Sequence, residues 1–188
     1  PSLVEQIQVV MLNSLLDDSK KQLSSALKHK KHPFRYCTLA TTSLDGTPHL
    51  RTVVLRAFDE TKFLITLFTD TRSDKIKELA NDPRAEFLFY DTHQFLQLRI
   101  KVELYETSNA IEQYTQLPEP SKKDYSCVFA PGEPILSPEL IRHDYEKGHF
   151  TKLVFKAYEL EYLKLKRPNH LRAIFLSSED WKGSFIAP

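Results

Sequence analysis

The sequence predicts a mainly β fold, in which a small antiparallel barrel is accompanied by peripheral helices. Many short runs rich in Val, Leu, Ile, Thr and Phe follow one another through turn residues rather than through the long helices of βαβ units. The Asp-Gly pair at 45–46 separates two of these runs, which is a strong signal for a hairpin. The four glycines form neither GxGxxG nor GxxxxGK, so a Rossmann or P-loop nucleotide site is not expected.

The first half of the chain predicts a helix, a hairpin, a third strand and a second helix. Apolar residues between positions 3 and 29 recur at helical spacing, which favours one long helix or two short ones. Runs rich in Thr, Val and Leu predict strands at 34–42, 48–58 and 62–69. A helix is expected at 73–80, because Thr and Ser precede it as candidate N-caps and Asn-Asp-Pro follows it as a stop.

The second half predicts further strands around a long irregular segment. Residues 118–138 are rich in proline, and long irregular stretches in compact domains are often functional. The remaining elements are expected as strands at 84–90 and 94–106, helices at 107–117 and 140–148, and strands at 151–165, 170–177 and 184–187.

Composition limits the classes of function. The 188 residues suggest one domain, spanning 1–188. With 26 Lys and Arg against 25 Asp and Glu, the net charge of +1 gives no reason to expect a nucleic-acid or membrane partner. Cys37 and Cys127 are far apart and show no metal-ligand spacing. No leader and no apolar run of about 18 residues is recognised, so we expect a cytoplasmic protein.

Several weaker signals favour structural roles. Seven histidines include the pairs His29/His32 and His143/His149, but neither has a recognised ligand spacing, so no metal site is expected. Phe87, Phe89 and Phe95 resemble a stacking platform for single-stranded nucleic acid, and core packing is the simpler interpretation. Ser126-Cys127 lacks a spaced His and Asp, so we expect no nucleophile there.

The densest chemical signal runs from Arg51 to Lys75. Arg51 and Arg56 lie on an otherwise apolar strand, and the segment from Phe68 to Lys75 leads from a strand end into a helix start. Free backbone N–H groups, the helix dipole and nearby cations together favour a phosphate. Strict alternation places Arg51 and Arg56 on opposite faces of the strand. A solvated surface would show the same residues, and from the sequence this alternative stays open.

The order of the motifs resembles the FMN-binding core of the pyridoxamine 5′-phosphate oxidase family. The resemblance covers about residues 34–106 and 160–188, and it is stronger to members described only as FMN-binding than to the vitamin B6 enzyme. It implies an FMN-binding split β-barrel of antiparallel, Greek-key-like strands. The matching segments are Arg51 to Arg56, Phe68-Thr69, Ser73-Asp74-Lys75, Asn81-Asp82-Pro83, Phe89-Tyr90, Gln97-Leu98-Arg99, Asn169 to Arg172, Trp181 and Ala187-Pro188.

The resemblance also implies a homodimer with FMN at the subunit interface and a small-molecule substrate. Gln97 would contact the flavin from the neighbouring subunit, and Arg172 would approach the pyrimidine side of its ring. His170 and Arg172 would orient the substrate as catalytic residues, with Arg56 and Tyr114 binding it. The residues implied to hold the cofactor are Arg51, Thr52, Val53, Val54, Leu55, Arg56, Phe68, Thr69, Arg72, Ser73, Lys75, Gln97 and Arg172.

Departures from the family pattern lie mainly on the substrate side. Asp74 stands where the oxidases have an Arg, and Arg72 is the candidate replacement. Pro168 stands where their Arg-x-His motif begins, although Arg167 is adjacent. We therefore expect an FMN-dependent oxidoreductase that oxidises a small amine or alcohol, with dioxygen as acceptor and with pyridoxamine 5′-phosphate as a poor substrate. The alternative is an FMN-binding module without oxidase turnover, such as a carrier, a sensor or an NAD(P)H-dependent flavin reductase.

Overall fold

A computed structural model describes residues 2–188 and confirms a mainly antiparallel β fold. The strands are β1 (Tyr36–Thr42), β2 (Pro48–Val54), β3 (Ala57–Asp59), β4 (Leu64–Asp70), β5 (Arg84–Asp91), β6 (Leu96–Ser108), β7 (Phe150–Lys164), β8 (Leu171–Leu176) and β9 (Gly183–Phe185). The α-helices are α1 (Leu3–Lys28), α2 (Asp74–Asn81), α3 (Ile111–Thr115) and α4 (Glu119–Lys122).

The N-terminal region forms one long helix rather than two short ones. Ser2 caps α1 by accepting a hydrogen bond from the amide of Glu5, whose carboxylate accepts one from the amide of Ser2. This reciprocal capping box satisfies two donors that the first turn leaves free. Only part of α1 packs against the barrel, through buried residues such as Leu12 and Leu23. No helix within residues 2–188 has the length and apolar character that crossing a bilayer requires.

The strands form one curled sheet in the order β2-β1-β5-β6-β7-β4-β3. All pairings are antiparallel, and β7 also pairs with β8, which pairs with β9. The strands at the two ends of this order, β2 and β3, are consecutive in the chain and are separated only by Leu55 and Arg56. The sheet therefore curls back on itself at this point and encloses the core.

Two groups of buried side chains fill the interior. In the larger one, Phe87 packs edge-to-face on Phe155 at 5.3 Å and stacks with Phe89 at 5.9 Å, so these two strand aromatics are core residues as expected. Phe95 is not, because it lies in the β5–β6 turn and is 53% exposed. The smaller group lies beneath the irregular segment and contains Ala110, Tyr114, Tyr125 and Phe150.

Three predicted elements differ from the structure. The strand expected at 48–58 is interrupted, because the amide of Leu55 donates to Arg35 O (2.9 Å) and that of Arg56 donates to Thr66 O (3.0 Å). The helix expected at 107–117 shortens to Ile111–Thr115, since residues 107 and 108 still pair with β7.

The prediction of a helix at 140–148 was wrong. Its backbone pairs instead with the segment around residue 127, where the amide of Val128 donates to Arg142 O (2.9 Å) and that of Asp144 donates to Ser126 O (2.8 Å). These bonds satisfy the groups that an i to i−4 ladder would otherwise use. A 3₁₀ turn at Pro138–Leu140 precedes this pairing.

Candidate functional site

A cleft of about 270 Å³ opens where the ends of β2 and β4 meet the start of α2. From these elements it is lined by Thr52, Val53, Val54, Arg56, Phe68, Thr69, Asp70, Ser73 and Lys75. Asp124, Tyr125 and Pro131 of the irregular segment form its remaining wall. The structure thus brings together eight of the residues that the family resemblance assigned to the cofactor.

A larger hollow of about 370 Å³ lies elsewhere, between Thr42, Asp82, Arg84 and Lys101. Its charged groups are already paired, because Arg84 donates to Asp82 (2.7 Å) and Lys101 lies 3.0 Å from Glu159. A site for a charged ligand needs groups that can still make contacts. The smaller cleft meets this condition better.

The inner end of the cleft is suited to a phosphate. Lys75 Nζ donates to the hydroxyls of Thr69 (2.9 Å) and Ser73 (3.1 Å), both of which are buried. Burial, followed by the nearby charge of Arg51, lowers the pKa of Lys75. Ser73 is the N-cap of α2, yet its side chain accepts no hydrogen bond from the helix amides. One ammonium, two hydroxyls and a helix start form the donor set that phosphate oxygens require.

Arg56 points into the cleft because the chain leaves β2 at Leu55. Its guanidinium lies 5.7 Å from the ring centre of Phe68, and Nη2 is 3.4 Å from the hydroxyl of Tyr125. Its Nε is buried and has no hydrogen-bond partner within residues 2–188. A buried donor without a partner costs free energy, which an anionic or carbonyl ligand would recover. Arg56 therefore fits a ligand contact better than a purely structural role.

Arg51 lies behind the cleft rather than in its lining. Its Nη2 donates to Glu78 Oε2 at 2.9 Å, and its Nη1 donates to the hydroxyl of Thr41. The side chain is half-buried and near enough to affect the pKa of Lys75. Contact between Arg51 and a phosphate therefore stays a prediction.

Two further residues expected at the cofactor, Arg72 and Leu55, also lie outside the lining of the cleft. Arg72 pairs with Asp70 through Nε (3.0 Å) and Nη2 (2.7 Å), and it also donates to the carbonyls of Cys127 (2.8 Å) and Val128 (3.1 Å). Instead of replacing the missing phosphate cation, Arg72 fastens the irregular segment to the end of β4. Leu55 is 1% exposed, so its side chain belongs to the core and not to a flavin contact.

Tyr114 was expected to contact the substrate, and the structure places it elsewhere. It is 3% exposed, and its hydroxyl donates to Tyr145 O (3.0 Å) within the smaller core group. Tyr125 is the tyrosine that reaches the cleft, where its ring packs edge-to-face on Phe150 at 4.9 Å. The proline content of 118–138 pointed to this segment, but no sequence pattern singled out Tyr125, Asp124 or Pro131.

Gln97, His170 and Arg172 lie away from the cleft of their own chain. His170 is exposed, and its Nδ1 accepts a hydrogen bond from the amide of Lys166 (3.1 Å). Arg172 donates to Glu161 Oε2 (3.0 Å) and to the carbonyl of Ala187 (3.3 Å), while its Nε is buried without a partner within residues 2–188. None of the three can share a ligand with Lys75 unless a second chain brings it there.

The sequence and the fold also resemble those of known proteins. Residues 17–106 match the model of the pyridoxamine 5′-phosphate oxidase FMN-binding domain. The chain is 31% identical over 166 residues to pyridoxine/pyridoxamine 5′-phosphate oxidase 2 of Arabidopsis thaliana, covering 80% of this chain and 81% of that protein. It is 30% identical over 168 residues to the pyridoxine/pyridoxamine 5′-phosphate oxidase of Nostoc punctiforme, covering 87% and 74% respectively.

Solved structures share the fold. A pyridoxamine 5′-phosphate oxidase-related, FMN-binding protein of Nostoc punctiforme superimposes with a TM-score of 0.73 at 22% identity, covering 91% of this chain and 96% of that one. PhzG of Burkholderia lata, solved with tetrahydrophenazine-1-carboxylic acid, gives a TM-score of 0.71 at 18% identity, covering 90% of each chain. With the fold, the donor set of the cleft and the sequence matches in agreement, this chain belongs to the FMN-binding pyridoxamine 5′-phosphate oxidase family.

Proposed function

We propose that the protein is an FMN-dependent oxidoreductase that oxidises a small amine or alcohol by two electrons. The observation that carries the proposal is the cleft itself. It places the ammonium of Lys75 beside two buried hydroxyls, and it leaves Arg56 Nε without a partner among residues 2–188. FMN held there by Lys75, Ser73 and Thr69 would supply two-electron redox chemistry between the substrate and dioxygen.

The chain's own residues would bind the FMN phosphate, position the isoalloxazine and shield the site from water. Lys75, Ser73 and Thr69 would hold the phosphate, because their donors converge at the start of α2. The backbone and apolar side chains from Thr52 to Val54 would form the wall beside the isoalloxazine. Tyr125 and the rest of the irregular segment would limit the access of water from the opposite side.

We propose that the working unit is a homodimer in which each chain completes the other's site. Tyr36, Leu50, Leu88 and Tyr90 are 37–66% exposed, and the strand registers place them on one outer face of the sheet. Thr52 of the cleft pairs with Thr38 on that same face.

Two predicted flavin contacts share this face. Gln97 pairs with Tyr90 of β5, and Arg172 pairs with Leu163, which itself pairs with Gln97. A cleft of about 270 Å³ is smaller than the roughly 300–1,000 Å³ that encloses most small-molecule ligands. A twofold contact through this face would enlarge the site and add Gln97 and Arg172 to it. A cation at the pyrimidine side would stabilise negative charge on the flavin.

On the substrate side, we propose Arg56 and His170 as contacts and Arg172 as an orienting cation. Tyr114 is not among these contacts, because its hydroxyl donates to the carbonyl of Tyr145 within the core. Pro168 offers no N–H donor where the family's Arg stands, and Arg167 is exposed beside it. Among residues 2–188 the proposed substrate side therefore offers fewer donors than a doubly charged substrate phosphate needs, and we expect pyridoxamine 5′-phosphate to be turned over poorly.

The same loss of substrate contacts favours a second candidate, a flavin-binding protein without oxidase turnover or with NAD(P)H as reductant. The test loads purified protein with FMN and follows oxygen consumption with pyridoxamine 5′-phosphate, unphosphorylated primary amines and simple alcohols. A parallel anaerobic experiment follows bleaching of the flavin by NADH or NADPH. Turnover of an amine or alcohol supports the oxidase. Rapid bleaching by a nicotinamide without any oxygen-dependent turnover refutes the oxidase in favour of the reductase.

A further inference from the structure

One buried carboxylate that the cleft does not use lies directly behind it. Glu78 of α2 is 3% exposed and accepts three hydrogen bonds from two strands. Its Oε2 accepts from Arg51 Nη2 (2.9 Å) and from the Thr41 hydroxyl (2.6 Å), and its Oε1 lies 2.5 Å from His49 Nδ1. We refer to Thr41, His49, Arg51 and Glu78 as the Glu78 cluster.

The cluster stabilises a charge that burial disfavours. Burial would raise the pKa of Glu78, yet the hydrogen bonds from Thr41, His49 and Arg51 together hold it below its ordinary value. The desolvation of a buried ion pair offsets much of its attraction, so such a pair is weak evidence for net stability. Its hydrogen bonds nevertheless hold the side chains that it joins in one arrangement. The group whose geometry is fixed here is the guanidinium of Arg51.

Arg51 connects the cluster to the phosphate end of the cleft. Its charge lowers the pKa of Lys75, whereas the charge of Glu78 acts in the opposite direction on the same lysine. Lys75 and Glu78 are three residues apart on α2, so the helix holds the cleft ammonium and the buried carboxylate in one rigid unit. Without Glu78, two neighbouring cations would repel each other with less compensation.

We propose that Glu78 is a positioning residue for the FMN phosphate, acting through Arg51, and that His49 fixes the second oxygen of its carboxylate. This inference rests on the proposed position of the phosphate at Lys75. A guanidinium has five N–H donors, and within residues 2–188 Arg51 uses three of them, on Glu78, Thr41 and, at 3.5 Å, the carbonyl of Leu39. Donors therefore remain for a phosphate while Glu78 stays bound, so the carboxylate orients Arg51 rather than competing for all of it.

The experiment measures the affinities of FMN and riboflavin for Glu78→Gln by fluorescence titration of the apoprotein. We expect FMN binding to weaken about tenfold and riboflavin binding to stay unchanged. The reason is that Arg51 would contact only the phosphate, which riboflavin does not have. A purely structural role would lower both affinities or the melting temperature and leave their ratio unaltered. The control is Asp82→Asn, which removes one negative charge at the C-cap of the same helix, where the side chain of Asp82 pairs with Arg84 and makes no hydrogen bond to the side chains of the Glu78 cluster, and it should not alter the ratio.

Two further variants keep the inference testable. His49→Gln alters a side chain that is 46% exposed and should fold even if Glu78→Gln does not. It should lower the ratio of FMN affinity to riboflavin affinity about threefold, which is the same direction of change that we expect for Glu78→Gln. An unchanged ratio in both variants, or tighter FMN binding by Glu78→Gln, overturns the positioning role. If Lys75→Met also leaves the ratio unchanged, the phosphate assignment itself is wrong, and the role of Glu78 falls with it.

Discussion

Replacing Lys75 by Met removes the one ammonium that lines the cleft among residues 2–188 and keeps most of the side-chain volume. The lost interaction is a charged hydrogen bond to the phosphate, which contributes about 1.5–3 kcal/mol. FMN affinity should therefore fall roughly 10- to 150-fold, while riboflavin affinity should not change. Lys77→Met is the matched control, since Lys77 is on the same helix and is exposed.

The pH dependence has a definite sign. The pKa of Lys75 lies below the ordinary lysine value of 10.5, because burial and Arg51 disfavour its charged form. FMN affinity of the parent protein should thus decrease as pH rises through this lowered pKa, at a lower pH than an exposed lysine would give, and Lys75→Met should not show this decrease. Since the unfolded chain holds this proton more strongly than the folded one, charging Lys75 disfavours the fold of the apoprotein. The variant should melt at the same temperature as the parent or higher.

The assay titrates apoprotein into FMN or riboflavin and follows quenching of flavin fluorescence from about pH 6 to about pH 10, a range that lies below the ordinary lysine value of 10.5. The phosphate assignment is refuted if Lys75→Met binds FMN as tightly as Lys77→Met does. It is also refuted if both flavins lose affinity equally, because a contact to the phosphate cannot weaken riboflavin.

Three further outcomes follow from the structure. At pH 8 a thiol reagent should modify Cys127 well before Cys37, because burial raises the pKa of Cys37 to about 12 and leaves it 3% exposed; equal rates would contradict this placement. Arg72→Ala should speed limited proteolysis within 118–138, since the carbonyls of this segment lose their anchor, and an unchanged cleavage rate would show that other contacts hold it. Mixing Lys75→Met chains with Gln97→Ala chains should restore about one tight FMN site per heterodimer, whereas a tight-binding monomer in light scattering would exclude a shared site.

The parts of the site that depend on local chemistry could be predicted from the sequence. The Asp45-Gly46 turn forms as expected, with Gly46 at φ 85°, a conformation that side chains with a Cβ rarely adopt. The helix start that presents Ser73 and Lys75 depends on neighbouring residues alone, and it begins within one residue of the predicted position.

The parts that depend on distant pairing could not be predicted. Strict alternation predicts that Arg51 and Arg56 lie on opposite faces of one strand. In the structure the strand ends between them, because the amides of Leu55 and Arg56 donate hydrogen bonds to the carbonyls of Arg35 and Thr66. Arg72 and Tyr114 differ from prediction for the same reason, because the backbone carbonyls to which they donate lie 31 or more residues away in the chain. Hydrophobic periodicity has no information about such partners.

The long strand β7 has a consequence for how the chain reaches its final shape. Its 15 residues pair with β6, β4 and β8. Within β7, Lys156 pairs with Leu64 of β4, which lies far earlier in the sequence. A nascent chain that has been synthesised only to residue 149 contains both β4 and β6 but not the strand that joins them. The barrel therefore cannot close until the last fifth of the polypeptide has been synthesised. Until then the apolar inner faces of the earlier strands are open to aggregation unless transient contacts or chaperones cover them.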